Sequence, residues 1–291
     1  MTARTVWRRV LPRKLSRSFG GNLAIGLFLL LLGAFTALPI VYAVISSFKP
    51  LNELFIYPPR FFVTRPTLEN YLQVFATQMN MLVPMERYVF NSVFVSAVTT
   101  AAYILMASLA AYPLARNRFP GRQFLTQLVV FAILFRPEVI QIPQYLIFAR
   151  IGVVDTYWAL ILPVLIGSFG VFLMKQFMEG IPGEILESAR IDGAGEWRIF
   201  FRLIMPMVKP AWLTLVIFTF QSVWNNNGLQ YIYTENLKTL PTALSQMTSS
   251  GLTMAGVSSA VAVLLMLPPV LMFVFTQGNV METMSHSGIK D

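Results

Sequence analysis

Five runs of this chain contain no charged side chain: residues 18–48, 88–115, 156–174, 210–234 and 239–281. A helix needs roughly 20 apolar residues to cross a hydrocarbon core of about 30 Å. Backbone amides and carbonyls find no water there, so an apolar run in lipid must close its hydrogen bonds within itself, as a helix. A sixth stretch, between Arg122 and Arg150, is interrupted only by Arg136 and Glu138. Charged residues are 12% of the chain, about half the share in a soluble domain. The expected fold is therefore an all-α membrane protein. Six transmembrane helices are predicted near 22–47, 88–115, 122–148, 156–178, 210–227 and 255–277. The division is a basic tail (1–21), one membrane domain (22–278) and a second tail (279–291), with no internal repeat.

The net charge of +9 would suit nucleic acid, but its distribution points to a bilayer. Fifteen of the 22 lysines and arginines lie in the N-terminal tail, the 116–122 link, residues 175–209 and the C-terminus. These places share one side of a six-helix path. The other side has Lys49, Arg60, Arg65, Arg87, Arg150 and Lys238. Basic loops stay in the cytoplasm, which predicts a multi-pass protein with both termini cytoplasmic. Arg4, Arg8, Arg9, Arg13, Lys14 and Arg17 also suit anionic headgroups. The first apolar run is too long for a signal-peptide core and reads as an uncleaved anchor.

Between two spans lies a polar insertion, residues 179–209. Its centre reads Glu187-Ser188-Ala189-Arg190-Ile191-Asp192-Gly193, then nine residues, then Leu203-Ile204-Met205-Pro206. Two short helices are expected. Pro182 suits the first helical position, and Glu184 and Glu187 suit the positive helix end. Ile181, Ile185 and Ala189 form a narrow apolar stripe. Gly193 ends the first helix, since glycine accepts the left-handed conformation without steric cost. Trp197, Phe200, Phe201 and Ile204 recur at helical spacing as the apolar face of the second, which Pro206 and Pro210 stop. Taken alone, this pattern fits an amphipathic pair lying under the membrane.

The spacing of Glu187, Ala189, Gly193 and Pro206 resembles the EAA loop of ABC-importer permeases, with Ser188, Leu203 and Met205 as departures. Phe172 to Phe177, Ile181-Pro182 and Glu184 resemble the family's approach to that loop. Arg190 to Ala194, Tyr157 to Pro163, Trp224-Asn225 and Gly288-Ile289-Lys290 resemble its carbohydrate branch and the maltose-type second permease subunit. After Asn225 the chain departs from the pattern with Asn226-Asn227-Gly228. The resemblance implies a docking element for an ATPase subunit at Glu187, Ser188, Ala189, Asp192, Gly193 and Pro206. It implies a homologous permease as heterodimer partner, two ATPase subunits, an external or periplasmic solute-binding protein, and a bacterial cytoplasmic (inner) membrane. Transport of a carbohydrate, most simply an oligosaccharide, would proceed by alternating access. The competing readings are a secondary transporter without an ATPase, which predicts inverted repeats and an intramembrane ion site, and an ABC-importer permease for a solute other than sugar.

Several chemistries have no residues to carry them. With no cysteine there are no thiol ligands or disulfides, and His286 is the only histidine. No G-x-x-x-x-G-K-[ST] phosphate loop occurs. The chain is thus expected not to be an enzyme and to bind no cofactor, ATP and Mg belonging to partner subunits.

Two polar groups sit where spans are expected. Arg136 and Glu138 flank Pro137 about 20 Å along a helix from Arg122, where an unpaired charge costs at least about 2.5 kcal/mol. They read either as a structural pair or as the wall of a gate, with Gln141, Gln144 and Tyr145 extending the polar face. Gln221, Trp224, Asn225 and Asn226 form an amide and aromatic cluster suited to sugar hydroxyls and ring faces. Trp224 by itself is expected at the headgroup level. In the external segment, Thr67 is the expected cap of a short helix. The loop from about Thr234 to Met254 is rich in small polar residues, and Gln246, Ser249 and Ser250 are its candidates for contacting a binding protein.

Overall fold

The computed structural model describes residues 19–79, 83–135, 137–248 and 254–287. Every regular element among them is helical: α1 (Phe19–Ser47), α2 (Leu51–Leu54), α3 (Glu69–Met79), α4 (Met85–Arg116), α5 (Arg122–Ile133), α6 (Pro137–Arg150), α7 (Tyr157–Leu165), α8 (Ser168–Glu179), α9 (Gly183–Ile191), α10 (Glu196–Ile199), α11 (Met205–Met207), α12 (Lys209–Asn225), α13 (Leu240–Thr248) and α14 (Ala255–Ser287). A π-helical turn, Phe200–Ile204, joins α10 to α11.

Three helices are long and apolar enough to span alone: Gly20–Ser47, Met85–Arg116 and Ala255–Gly278. Two further candidates are bent pairs: α7 with α8 at 42°, and the α10–α11 segment with α12 at 76°. The expected continuous helices at 122–148 and 156–178 are therefore both broken. In the second, Pro163 inside α7 and Gly167 before α8 interrupt the backbone ladder. The first divides into α5 and α6, where Pro137 opens the second half.

α4 is the central post. It packs against α7, α8 and α12, while α14 packs against α12 and α1. Polar side chains buried along α4, including Asn91, Ser96, Thr99 and Ser108, let it sit inside the bundle rather than in lipid. α1 is the opposite: none of its apolar window is buried, and Leu30 and Phe35 are about 70% exposed (69% and 71%). Such an outer surface suits hydrocarbon, which offers apolar side chains no reason to hide.

Trp224 does not face outward from the bundle. It is buried, and its indole Nε1 donates to the Leu265 carbonyl at 3.1 Å. Pro269, four residues further along α14, has no N–H to give that carbonyl. Trp224 supplies the missing donor.

Candidate functional site

The cytoplasmic-type loop begins one residue later than expected. Pro182 is the N-cap of α9, with extended backbone (φ −58°, ψ 136°), and Gly183 opens the helix. The end is as expected. Gly193 has φ +76°, its N–H reaches the Arg190 carbonyl at 3.0 Å, and the Ala194 N–H reaches the Ala189 carbonyl at 3.0 Å. Those two bonds are a Schellman cap, which satisfies the orphan carbonyls of α9 and reverses the chain. Glu187, Ser188 and Asp192 are exposed, and Ala189 is half-buried against the core.

The apolar faces differ from expectation. Leu186 is the buried anchor of α9, with Ile181 just before it, whereas Ile185 is exposed. Beyond Gly193, Ile199, Phe200 and Ile204 are buried, while Trp197 and Phe201 stack on each other outside at 6.0 Å. The π turn explains the split. Its rings close five residues apart, as in Met205 N–H to Phe200 O, so the buried face is no longer the simple 3.6-residue stripe. Pro206 lies exposed in α11, and Pro210 sits in the first turn of α12 after the bend. Ile185, Ile191, Trp197 and Phe201 are exposed apolar side chains of this loop, which also exposes the acidic Glu187.

Three charged clusters fasten this loop to the bundle. The Arg116 guanidinium donates to the carbonyls of Met178 and Ile181, on the chain leading into α9. Arg122 donates to the Leu114 carbonyl at 2.8 Å and pairs with Glu179 at 3.1 Å, where Lys175 also arrives at 2.8 Å. Glu196 accepts from the Tyr112 hydroxyl at 2.6 Å and from Arg190 Nε at 3.0 Å. Those two donors hold the Glu196 carboxyl below the usual carboxylate range, the hydroxyl first.

A cavity of about 460 Å³ opens beside the break between α7 and α8. Its polar lining is Gln141 and Gln144 from α6, Ser222 from α12, and Asn226, Gln230 and Tyr231 from the following turn. Phe169, Leu215 and Phe218 give it apolar walls, and Tyr103 and Gly167 close it at the helix break. The amides are ordered by one another: Gln141 Nε2 donates to Gln230 Oε1 at 2.8 Å, and the Tyr231 hydroxyl donates to Gln144 Oε1 at 3.1 Å. Such a lining offers donors, acceptors and ring faces together. Irregular backbone at this depth is tolerated where it borders a cavity or protein.

Of the residues predicted for a pathway, Gln141 and Gln144 line this cavity. Tyr145 stands behind it, stacked on Tyr231 at 6.4 Å and accepting from the Tyr233 hydroxyl at 3.2 Å. Gln221 faces a separate small cavity between α12 and α14, with Pro269 and Phe273. Asn225 ends α12, is exposed and is not in the lining. Arg136 and the Glu138 side chain lie outside the described residues. Gln230 and Tyr231 were not predicted. They lie in a turn rather than on a helix face, and helical spacing does not flag them.

The end of the bundle formed by α4, α7 and residues 231–238 is fastened by side chains that the sequence did not mark. Asn91 Nδ2 donates to the carbonyls of Asn236 (2.9 Å) and Lys238 (2.8 Å), and its Oδ1 accepts from the Tyr157 hydroxyl at 2.7 Å. Tyr88 donates to Glu235 at 2.8 Å. Asp155, at φ +61°, accepts the N–H groups of Tyr233 (2.9 Å) and Thr234 (2.8 Å) and the Thr234 hydroxyl. Partial burial opposes its ionisation, but these three donors outweigh it and hold the carboxyl below its ordinary value. In α3, the Thr67 hydroxyl accepts the Glu69 N–H at 3.1 Å, as the expected cap does.

The segment expected to be a loose polar loop is largely packed. Thr239, Thr242, Ala243 and Leu244 are buried, and Thr242 donates to the Asn227 carbonyl. Gln246 is exposed and accepts from Lys238 Nζ at 3.3 Å. Ser249 and Ser250 lie outside the described residues.

A model of the family "binding-protein-dependent transport system inner membrane component" matches residues 21–282. Protein LplC of Bacillus subtilis (strain 168) is 34% identical over 285 residues, covering 91% of this chain and 92% of that protein. The polygalacturonan/rhamnogalacturonan transport system permease protein YtcP of the same organism is 35% identical over 210 residues, covering 71% and 70%. Among solved structures, one from a bacterial ABC transporter that imports the acidic polysaccharide alginate superposes with TM-score 0.71 at 21% identity, over 90% of this chain and 98% of that one, which shows a common fold. The chain belongs to the family of binding-protein-dependent transport system inner membrane components.

Proposed function

We propose that this chain is one half of a permease pair that carries an oligosaccharide into a bacterial cytoplasm by alternating access. The cavity beside α6, α7 and α12 is its share of the path, and the α9–α10 loop is its docking element for an ATPase. The observation that carries this reading is the broken α7–α8 span. The break borders the sugar-suited cavity, and α8 runs on without interruption toward α9. A rigid movement of the loop is thereby delivered to the cavity wall. Helix breaks of this kind are common at midplane transport sites.

Six spans follow if α5 with α6, and α7 with α8, each cross once, beside α1, α4, α12 and α14. The basic-residue bias then puts both termini and the α9–α10 loop in the cytoplasm. ATP and Mg belong to two ATPase subunits, a second permease completes the pathway, and an external binding protein delivers solute. The family's description as binding-protein-dependent supports that last partner. Glu187, exposed on a loop that also exposes Ile191 and Trp197, suits a partner cleft with a basic and apolar lining.

Copurification with mass identification of partners, followed by uptake into vesicles with and without internal ATP, tests this reading. Recovery of an ATPase and a second permease, with ATP-dependent sugar uptake, is expected. Uptake driven by an ion gradient with no ATPase recovered would replace it with the secondary-transporter class.

A further inference from the structure

Glu196 is the one carboxylate in the loop that touches two other helices. It is the first residue of α10, a position where an acidic side chain ordinarily serves the helix end and faces water. Here its two oxygens have different tasks. Oε1 takes Arg190 Nε at 3.0 Å, closing the chain reversal that Gly193 begins. Oε2 takes the hydroxyl of Tyr112 at 2.6 Å. Tyr112 is itself buried in α4 and packs on Phe200 at 5.5 Å. One carboxylate therefore joins the end of α9, the start of α10 and the central post.

We propose that Glu196 is a positioning residue for coupling, fixing the two limbs of the α9–α10 loop to α4 so that they move as one body. The alternative is a solvated ion pair, since the Arg190 and Glu196 side chains are each about half exposed (46% and 57%). Exposed pairs contribute little to stability. The Tyr112 bond is what distinguishes the two cases, because its donor comes from a buried ring on a different element. The geometry also separates this residue from Glu187, which is exposed on the other limb and is read above as facing the ATPase. Glu196 acts on the loop's angle rather than on the partner.

This inference rests on the proposed ATPase coupling for its consequence, though not for its geometry. The chain has no native cysteine, so spin labels can be placed at Arg118→Cys, after α4, and Glu184→Cys, exposed on α9, in the purified complex. Glu196→Ala should broaden the label distance and lower ATP-driven uptake by about twofold to thirtyfold, the span of coupling changes from residues that touch neither ligand. The amount of copurified ATPase should stay unchanged. Tyr112→Phe, which deletes one hydroxyl and keeps the ring, should produce the same change in smaller degree and guards against a misfolded Glu196→Ala protein. An unchanged distance in both variants would overturn the clamp. A broadened distance with normal uptake, or uptake that falls only in proportion to lost ATPase, would overturn the coupling role. If wild-type uptake needs no ATPase, the proposed function fails instead, and the distance measurement still decides whether the clamp exists.

Discussion

Tyr103 caps a helix that is not its own: its hydroxyl accepts the N–H of Gly170 at 2.7 Å, in the first turn of α8. The same hydroxyl donates to the Gly167 carbonyl at 3.1 Å. The first N–H groups of any helix lack internal partners, and at the break between α7 and α8 one of them is met by α4. A Cβ at Gly170 would lie 2.7 Å from the Tyr103 ring, so the approach requires glycine. Tyr103→Phe should strand the Gly170 N–H, at a cost of about 1–3 kcal/mol. Gly170→Ala should push the ring away altogether. Both should lower the thermal midpoint of the detergent-solubilised protein, and an unchanged midpoint in both would show the break to be held by other contacts.

Gly193→Ala should strain the loop. A left-handed conformation costs an L-residue about 1–2 kcal/mol, and the reversal after α9 depends on φ +76° at this position. Glu187→Ala should leave the fold unchanged but remove an exposed charge from the docking surface. Both variants should insert normally. Quantifying copurified ATPase and uptake separates them from wild type, and normal values in the double variant would exclude this loop as the docking element.

Gln144→Ala and Gln230→Ala should reduce sugar uptake while leaving assembly intact. Each removes an amide that lines the cavity and orders a neighbour, Tyr231 in one case and Gln141 in the other. Asn225→Ala, outside the lining, should have little effect. Uptake titrated against sugar concentration is the measurement, and equal behaviour of all three variants would remove the cavity from the path.

The fastening of residues 231–238 should loosen in acid. Partial burial works against the charge of Glu235, but Lys238 and then Tyr88 hold its carboxyl below the ordinary value, as the Thr234 and Tyr233 donors do for Asp155. A carboxyl whose folded value is depressed stabilises the fold fully above its unfolded value, about 4. The contribution is lost as pH falls through the folded value. Hydrogen exchange of residues 231–238 should therefore rise below about pH 4. Asp155→Asn should raise it already at neutral pH, because the amide cannot accept all three bonds.

Orientation can be read with single cysteines in this cysteine-free chain. In intact cells an impermeant maleimide should label Glu69→Cys and Asn236→Cys but not Glu196→Cys. Labelling at position 196 would invert the topology.

The helices were legible in the sequence because charge-free length is a strong signal: α1 and α4 lie close to their expected bounds, and α14 begins where expected but runs on to Ser287. The breaks were less so. Pro163 and Gly167 were available to be read, but an apolar run hides an interruption that a tyrosine from another helix makes good. The spacing of Glu187 and Gly193 located the turn that ends α9. The facing of Trp197 and Phe201 was missed, because a π turn shifts the helical phase without a residue that announces it. The burial and indole bond of Trp224 were not legible for a related reason. Tryptophan is common at headgroups, and only the pairing of α12 with α14 reveals a proline-freed carbonyl waiting for its indole. Three polar residues of the cavity lining, Asn226, Gln230 and Tyr231, come from a turn and converge with α6 through tertiary folding.

The Trp224 bond to Leu265 has a consequence for how the bundle can change shape. A helix with two adjacent prolines is a natural flexing point, since its ladder is already interrupted at Pro268 and Pro269. Here the interruption is spanned from the side by α12. Bending α14 at this point would break the indole bond and leave a carbonyl in hydrocarbon with no substitute donor. The prolines therefore act as a socket rather than a joint: α12 and α14 swing together, and relative motion is left to their outer edges, where α1 slides against lipid.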